Sequence, residues 1–340
     1  MDAAAAVIVN YRTPEMTLDC IAALAKERTL LPNLRAVIVD GGSNDGSADK
    51  IRAGIAGHNW IELLAMDFNG GFGWANNQGM LHLLQGADPP DFIHLLNPDA
   101  VITPGAVSAL RDFLGTHPKC AAAGSQLLND DGSEAGSAFR FPSVTREFFR
   151  GAQMNRVGRA LGLGEGILRP KTAAPVDWVT GASVMLRSEA LCQVGLFDTG
   201  FFLYYEEVEL MYRLKRARWQ VWFVPGSRVM HVGGVATGMA NAELHERASI
   251  PDYMFASRRR FFTRAYGPKV ARGATLAWLA GNRLLRTAKG FGLLKSRPVA
   301  DAERTGMLRY GAAASKADRS SAVTRCDDPL NVLPAWHQPS

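Results

Sequence analysis

The stretch Phe92-Ile93-His94-Leu95-Leu96-Asn97-Pro98-Asp99 is a short, almost unbroken apolar run that stops on a polar turn. Working back towards the N-terminus, the same figure recurs three times. Val7-Ile8-Val9 runs into Asn10-Tyr11-Arg12, and Ala36-Val37-Ile38-Val39 into Asp40-Gly41-Gly42-Ser43. Ile61-Glu62-Leu63-Leu64 is followed by Asp67-Phe68-Asn69-Gly70-Gly71. Runs this short and this continuously apolar suit strands buried on both faces, and the spacing between them predicts helices over 17–27 and 74–84. The alternation is βαβα, hence an α/β chain with a mostly parallel central sheet flanked by helices. In open sheets of this kind ligands bind beyond the carboxyl ends of the strands, so the four polar turns are expected to meet at one site.

Beyond the fourth turn, Thr103 and Pro104 read as the N-cap and first residue of a helix. Residues 142–172 carry Arg146, Arg150, Arg156, Arg159, Arg169 and Lys171 among glycines and read as a mobile basic loop. Order returns with a strand through Asp177-Trp178-Val179, a Gly181-Ala182 step, a helix over 206–216 and a strand at Val221-Trp222-Phe223. The expected organisation is a catalytic unit over 1–240, split into a nucleotide-binding half (1–103) and an acceptor half (104–240). A basic helical extension over 241–298 and a solvated, disordered tail over 299–340 follow.

Charge narrows the function. The chain of 340 residues has a net charge of +6, yet eleven Lys and Arg and no acid fall between Tyr253 and Ala300. The remainder is mildly acidic, which argues against a nucleic-acid partner. Cys20, Cys120, Cys192 and Cys326 form no CxxC pair and suggest neither a zinc site nor a disulfide framework, as in a reducing cytosol. No signal peptide or membrane span is evident, so a cytoplasmic location is expected, peripheral on the inner face of the plasma membrane if the basic segment binds lipid. That segment mixes its cations with Phe261, Phe262, Trp278 and Leu284, which suits an anionic membrane surface; an oligomer contact on a solvated helical face is the alternative.

Several side chains could carry chemistry. Asp99 at the strand end could hold Mg²⁺ together with phosphate oxygens, although Asn-Pro-Asp is also good turn chemistry. Asp40 could accept from a pyrimidine imide or a ribose, or simply cap its loop. Asn69, Gly70 and Asn76 lie in a glycine-rich stretch that fails as a dinucleotide fingerprint, because Asn76 stands where a small residue is required. Two neighbouring Asn residues suit phosphate, ribose or sugar hydroxyls better. Glu206, Glu207 and Glu209 open a helix. One could take a hydroxyl proton at a raised pKa, while Glu209 and Arg213 at i,i+4 also make an ordinary helix pair. His231 reads as a metal ligand or a core histidine. Trp178 reads as a sugar-stacking ring beside the room left by Gly181 and Ala182, or as a buried strand residue.

Taken in order, these pieces resemble the inverting, GT-A-fold glycosyltransferases of family 2, most closely the rhamnosyltransferase-like branch. The resemblance rests on Val9-Asn10-Tyr11, Val39-Asp40 with Ser43 and Asp45-Gly46-Ser47, and Asn69-Gly70-Gly71-Phe72 with Asn76-Asn77-Gln78-Gly79. It continues through Leu96-Asn97-Pro98-Asp99, Gly181-Ala182, Gly195-Leu196-Phe197-Asp198, Phe201 to Leu210, and His231-Val232-Gly233-Gly234. It implies a nucleoside-diphosphate sugar donor (a dTDP- or UDP-sugar, rhamnose among the candidates), a glycan or lipid-linked acceptor and a divalent metal, Mg or Mn. It also implies donor contacts at Asn10, Tyr11, Asp40, Asn69, Gly70, Asn76, Asn97 and Asp99, metal contacts at Asp99 and His231, and Glu207 as catalytic base. Trp178, Gly181, Ala182 and Glu206 fall in the acceptor or sugar pocket. Three positions depart from the pattern: Arg12 and Gly41 stand where Asn is frequent, and Glu207 where Asp is usual. Two other classes share these features: a non-catalytic nucleotide-sugar or glycan-binding protein, and a nucleotidyltransferase that would release pyrophosphate.

Overall fold

The computed structural model describes residues 2–163, 166–231, 250–291, 301–311, 316–334 and 336–337. The first half alternates as expected: β1 (Ala4–Asn10), α1 (Pro14–Glu27), β2 (Arg35–Asp40), α2 (Ser47–Gly54), β3 (Ile61–Ala65), α3 (Phe72–Leu84) and β4 (Phe92–Leu96). There follow β5 (Ala100–Ile102), α4 (Ala106–Thr116), β6 (Cys120–Leu128), β7 (Ala138–Phe139), α5 (Val144–Gly151), α6 (Asn155–Ala160), β8 (Ile167–Leu168), β9 (Ala174–Val176) and β10 (Trp178–Val179). β11 (Ser183–Arg187), α7 (Ser188–Val194), α8 (Glu206–Arg216) and β12 (Gln220–His231) complete this part, and α9 (Asp252–Tyr266), α10 (Pro268–Gly290), α11 (Asp301–Tyr310) and α12 (Lys316–Arg319) follow.

The main sheet has the order β3-β2-β1-β4-β11-β6-β12-β5, with β9 on the side of β12. β1 pairs in parallel with β2 and β4, β2 with β3, and β6 with β12; β11 enters antiparallel between β4 and β6. The unbroken apolar runs are explained by what lies on each face. Ala6, Ile8 and Ile38 pack with α1 and α4 on one side, whereas Val7, Val37 and Val39 pack with α3, α7 and α8 on the other. Alternate side chains of one strand therefore bury themselves in two separate cores.

The α4 start differs from expectation. Its N-cap is Gly105, in a left-handed conformation, and not Thr103. The buried carboxylate of Glu27, at the end of α1, accepts from the backbone N–H groups of Gly105, Val107 and Ser108. A helix capped from another element leaves no local capping signature to read.

The basic loop expected over 142–172 is largely folded. Ser143 caps α5 by accepting from the Arg146 N–H, and Gly151 and Gly281 allow α5 and α10 to approach at backbone distance. Arg258 of α9 lies fully inside, its Nη2 2.7 Å from Glu147 of α5. Arg260 meets Asp198 at 2.6 Å, and Arg259 meets Asp318 of α12 at 2.8 Å. Much of the basic segment is thus spent on internal pairs and not on a surface. The outer face of α10 keeps Lys269, Arg272 and Arg283 exposed beside Leu276 and Leu284, whereas Lys295 and Arg297 lie outside the described residues.

The segment read as a solvated tail also differs. Among its described residues, Val323 bridges to Asp198, Thr324 hydrogen-bonds to the 196–197 backbone, and Cys326 forms a disulfide with Cys192 across 134 residues of sequence. The disulfide overturns the reading of unpaired thiols: its partners are joined only because residues 322–332 fold back along α3. No described helix is long and apolar enough to cross a membrane.

Candidate active site

At the carboxyl ends of β1, β2, β4 and the step before β11 lies a cavity of about 530 Å³. Its walls include Tyr11, Gly41, Asn69, Asn97, Asp99, Thr180, Gly181, Ala182, Glu206, Glu207 and His231, together with Phe72, Phe202, Leu203, Tyr204 and Tyr253. Nine of the residues singled out from sequence therefore line one space: Tyr11, Asn69, Asn97, Asp99, Gly181, Ala182, Glu206, Glu207 and His231.

Register explains how they meet. β12 pairs antiparallel with β5, setting His231 opposite Ala100, one residue past Asp99. His231 Nε2 lies 3.3 Å from Asp99 Oδ1 and 3.3 Å from the Asn97 side-chain nitrogen. The Asn97 backbone N–H donates to Ala182 O at 2.9 Å, which fixes the glycine step against the same turn. Asn97 Oδ1 is buried without a partner. An unpartnered carboxamide oxygen, a carboxylate and an imidazole on one edge form a donor set that fits a divalent cation sharing its remaining positions with phosphate oxygens. Val232, Gly233 and Gly234 lie outside the described residues.

The start of α8 lines the same cavity. Tyr204 and Tyr205 both take left-handed backbone, at φ 70° and 72°, and turn the chain so that Glu206 and Glu207 enter the cavity. Such a turn costs on the order of 1–2 kcal/mol per non-glycine residue. The surrounding structure holds it: Arg213 grips both oxygens of Glu209 and donates to the carbonyls of Val194, Gly195 and Leu196. The i,i+4 pair expected from sequence is thus present, and it clamps α8 to the preceding turn. Gly71, at φ 84°, is required here, because a Cβ would lie 2.1 Å from Phe202 O, the acceptor of the Phe72 N–H. The neighbours of Gly181 are the Phe72 ring and Glu207, and not the Trp178 ring named in the sequence reading.

Glu206 and Glu207 make no ion pair among the described residues, and Oε2 of each is buried without a partner. Burial, followed by the charge of Glu207, pushes the Glu206 carboxyl well above the ordinary carboxylate range. Burial pushes Glu207 up from 4.5 to about 7. Glu206 therefore holds its proton to higher pH than an ordinary carboxyl, while Glu207 is poised to exchange a proton near neutrality.

Five residues expected at the site are not brought into the cavity. Asp40 is buried, accepting from Asn10 Nδ2 and Ser43 Oγ at 2.6 Å each and from the Ser43 N–H at 3.1 Å. Its carboxylate, like Asn10, is committed to holding the turn, and Gly41 of that turn faces the cavity instead. Gly70 lies under the Trp74 ring. Asn76 donates to Phe72 O within its own helix. Trp178 stacks on Phe139 at 4.1 Å and donates to Arg140 O, and is thereby a packing residue of the small β10-β7-β8 sheet. The neighbours Asn77 and Gln78 are likewise structural: Asn77 bonds Phe197 and Thr324, and Gln78 accepts from the Asn331 N–H. Sequence reading missed Phe202, Tyr204 and Tyr253. The first two sit in an aromatic run next to Glu206 that could have been weighed, whereas Tyr253 arrives on α9 from beyond a segment with no local signal.

Solved structures share this architecture. The mannosyltransferase PcManGT from Pyrobaculum calidifontis, solved with GDP-Man and Mn²⁺, superposes with TM-score 0.55 at 14% identity, over 91% of this chain and 80% of that one. GalNAc-T7, solved with UDP, GalNAc and Mn²⁺, gives 0.53 at 15%, over 86% of this chain and 55% of that one. The family model "Glycosyltransferase like family 2" matches residues 2–250, and the chain belongs to that family. N-acetylglucosaminyl-diphospho-decaprenol L-rhamnosyltransferase from Mycobacterium tuberculosis is 31% identical over 224 residues, 63% of this chain and 70% of the relative. The low-salt glycan biosynthesis hexosyltransferase Agl10 of Haloferax volcanii is 23% identical over 219 residues, 64% of this chain and 62% of the relative.

The raised carboxyl has a consequence for stability. In the unfolded chain Glu207 ionises near 4.5, but in the folded chain it holds its proton to about 7. The folded state therefore binds more protons between these values, and this group's contribution lowers stability as pH rises from 4.5 to 7, then levels off. Glu207→Gln removes the effect. Its melting temperature should exceed the parent's at pH 8, with the gap closing towards pH 4.5; a pH-independent gap would contradict the raised pKa.

Proposed function

We propose that this glycosyltransferase moves a hexosyl group from a nucleoside-diphosphate sugar to the hydroxyl of a lipid-linked acceptor, with inversion at the anomeric carbon. The observation that carries the proposal is a single cavity lined both by Asn97, Asp99 and His231 and by Glu207. Tyr11, Gly41 and Asn69 offer the nucleoside a place beyond the strand ends, so the diphosphate comes to Asp99 and the sugar to the space beside Gly181. Asp99 and His231 would hold a divalent cation, Mg or Mn, which supplies positive charge against the negative charge of a departing diphosphate. Glu207 takes the proton of the attacking acceptor hydroxyl, and Glu206, while it holds its proton, adds no second charge there. A base separate from the residues that would hold the diphosphate allows the hydroxyl to attack the anomeric carbon directly as the bond to the nucleoside diphosphate breaks, hence inversion. The similarity to the mycobacterial N-acetylglucosaminyl-diphospho-decaprenol L-rhamnosyltransferase supports L-rhamnose as the first sugar to test and a sugar-diphosphate-polyprenol as the first acceptor.

Glu207→Gln keeps the carboxyl's size but cannot take a proton, and should bind donor as the parent does while losing turnover by at least about a hundredfold. Asp99→Ala should abolish nucleoside-diphosphate release, whereas Asn97→Ala, which removes no charge, should only weaken it. Wild-type turnover in Glu207→Gln would remove that residue from the base role.

We further infer that the outer face of α10, with Lys269, Arg272 and Arg283 beside Leu276 and Leu284, rests on an anionic membrane surface near such an acceptor. Flotation with phosphatidylglycerol vesicles tests it: the Arg272→Glu/Arg283→Glu double variant should float less than the parent. Equal flotation of both proteins, or of the parent with neutral vesicles, would contradict it.

A further inference from the structure

Residues 322–337 lie outside the matched region of the family, yet they are fastened to the catalytic unit along their length. Thr199 N–H donates to Ala322 O, Leu196 N–H to Thr324 O, and Cys326 is covalently joined to Cys192. Gln85 donates to the carbonyls of Cys326 and Asp328, Gln78 accepts from the Asn331 N–H, and Trp74 Nε1 donates to Val332 O at 2.7 Å. The strap's polar backbone is used inward, against α3. Its large apolar side chains are left outward: Leu330, Val332, Leu333 and Trp336 are 39%, 49%, 40% and 41% exposed.

Four exposed apolar side chains within seven residues are costly to leave in water and mark a contact surface. The surface continues into the active site. The Trp336 ring stands edge-on to Phe202 at 5.2 Å, and Tyr253 also packs edge-on to that ring at 5.4 Å. Phe202 and Tyr253 both line the cavity that holds Glu207. Residues 329–337 contain no Asp, Glu, Lys or Arg. Apart from Asn331 and His337 this end of the strap is apolar and suits a hydrocarbon, whereas Asp99 and His231 line the cavity itself.

We propose that the strap, with Trp336 at its inner end, is a binding surface for the isoprenoid chain of the lipid-linked acceptor, guiding that chain out of the cavity past Phe202. The inference rests on the lipid-linked acceptor proposed above. It adds that the lipid is held by the protein itself, through residues beyond the family-matched region 2–250.

The test uses the full chain and two synthetic acceptors, an N-acetylglucosaminyl diphosphate esterified with farnesol and one esterified with methanol. The parent should prefer the farnesyl acceptor in kcat/KM. Trp336→Ala and Leu333→Ser, both substitutions of exposed side chains, should each reduce that preference by about tenfold, through KM for the farnesyl acceptor. An undiminished preference, or equal losses on both acceptors, would overturn the proposal. If the parent glycosylates neither acceptor, the acceptor reading fails, and titration with geranylgeranyl diphosphate decides the strap separately. Binding about tenfold weaker in Trp336→Ala sustains the surface, and equal affinity overturns it. A parent dimer that Trp336→Ala converts to monomer would assign the patch to a second copy and equally overturn it.

Discussion

Two carboxyl groups side by side in a buried cavity, with no cation paired to either among the described residues, are the constraint on which the rest of this structure turns. Such a pair cannot ionise twice at neutral pH, because each charge is penalised by burial and the second also by the first. The protein resolves this unequally. Glu206, the more enclosed, is pushed well above the ordinary carboxylate range, and Glu207 up to about 7. That inequality depends on the direction in which α8 begins, which is set by the left-handed pair Tyr204 and Tyr205 and by the Glu209–Arg213 clamp on the 194–196 turn. Gly71 lets its backbone approach Phe202, and Gly181 lies against the Phe72 ring and Glu207.

The strand ends belong to the same design. The sheet brings the turns after β1, β2 and β4 to one edge, but it uses their side chains in two ways. Asp99, Asn97 and Tyr11 face the cavity, whereas Asp40 and Asn10 face each other and hold the loop over 41–43 in shape. Asp40 therefore supports the site through the backbone it fixes. The outcome for Asn77 and Gln78 is similar: both bind chain segments more than a hundred residues away, which makes α3 a spine between the sheet and residues 322–332.

The fold was largely legible because its signal is local. Each parallel strand is buried on both faces, so its sequence is a continuous apolar run, and β4 and α8 begin and end where the residues predict. The clustering of Asn97, Asp99, Glu207 and His231 was legible only from their order along the chain, since no spacing rule connects residues so far apart. What could not be read was set by distant partners. Glu27 caps a helix it does not belong to; the arginines of α9 find Glu147, Asp198 and Asp318 across 59 to 111 residues, converting an evident surface charge into internal pairs. The strap appears featureless in sequence because its backbone, not its side chains, makes most of the contacts. The Cys192–Cys326 bond was hidden for the same reason.

The central claim is that Glu207 supplies the base and that burial tunes it to neutrality. The pH dependence of kcat/KM, measured for the parent with donor and a lipid-linked acceptor, tests it most directly. A base must be deprotonated to act, so the rate should rise about tenfold per pH unit below 7, bend near 7 and stay level above it. A profile that is already flat from pH 5 upwards, or one that keeps the same bend in Glu207→Gln, would contradict the account.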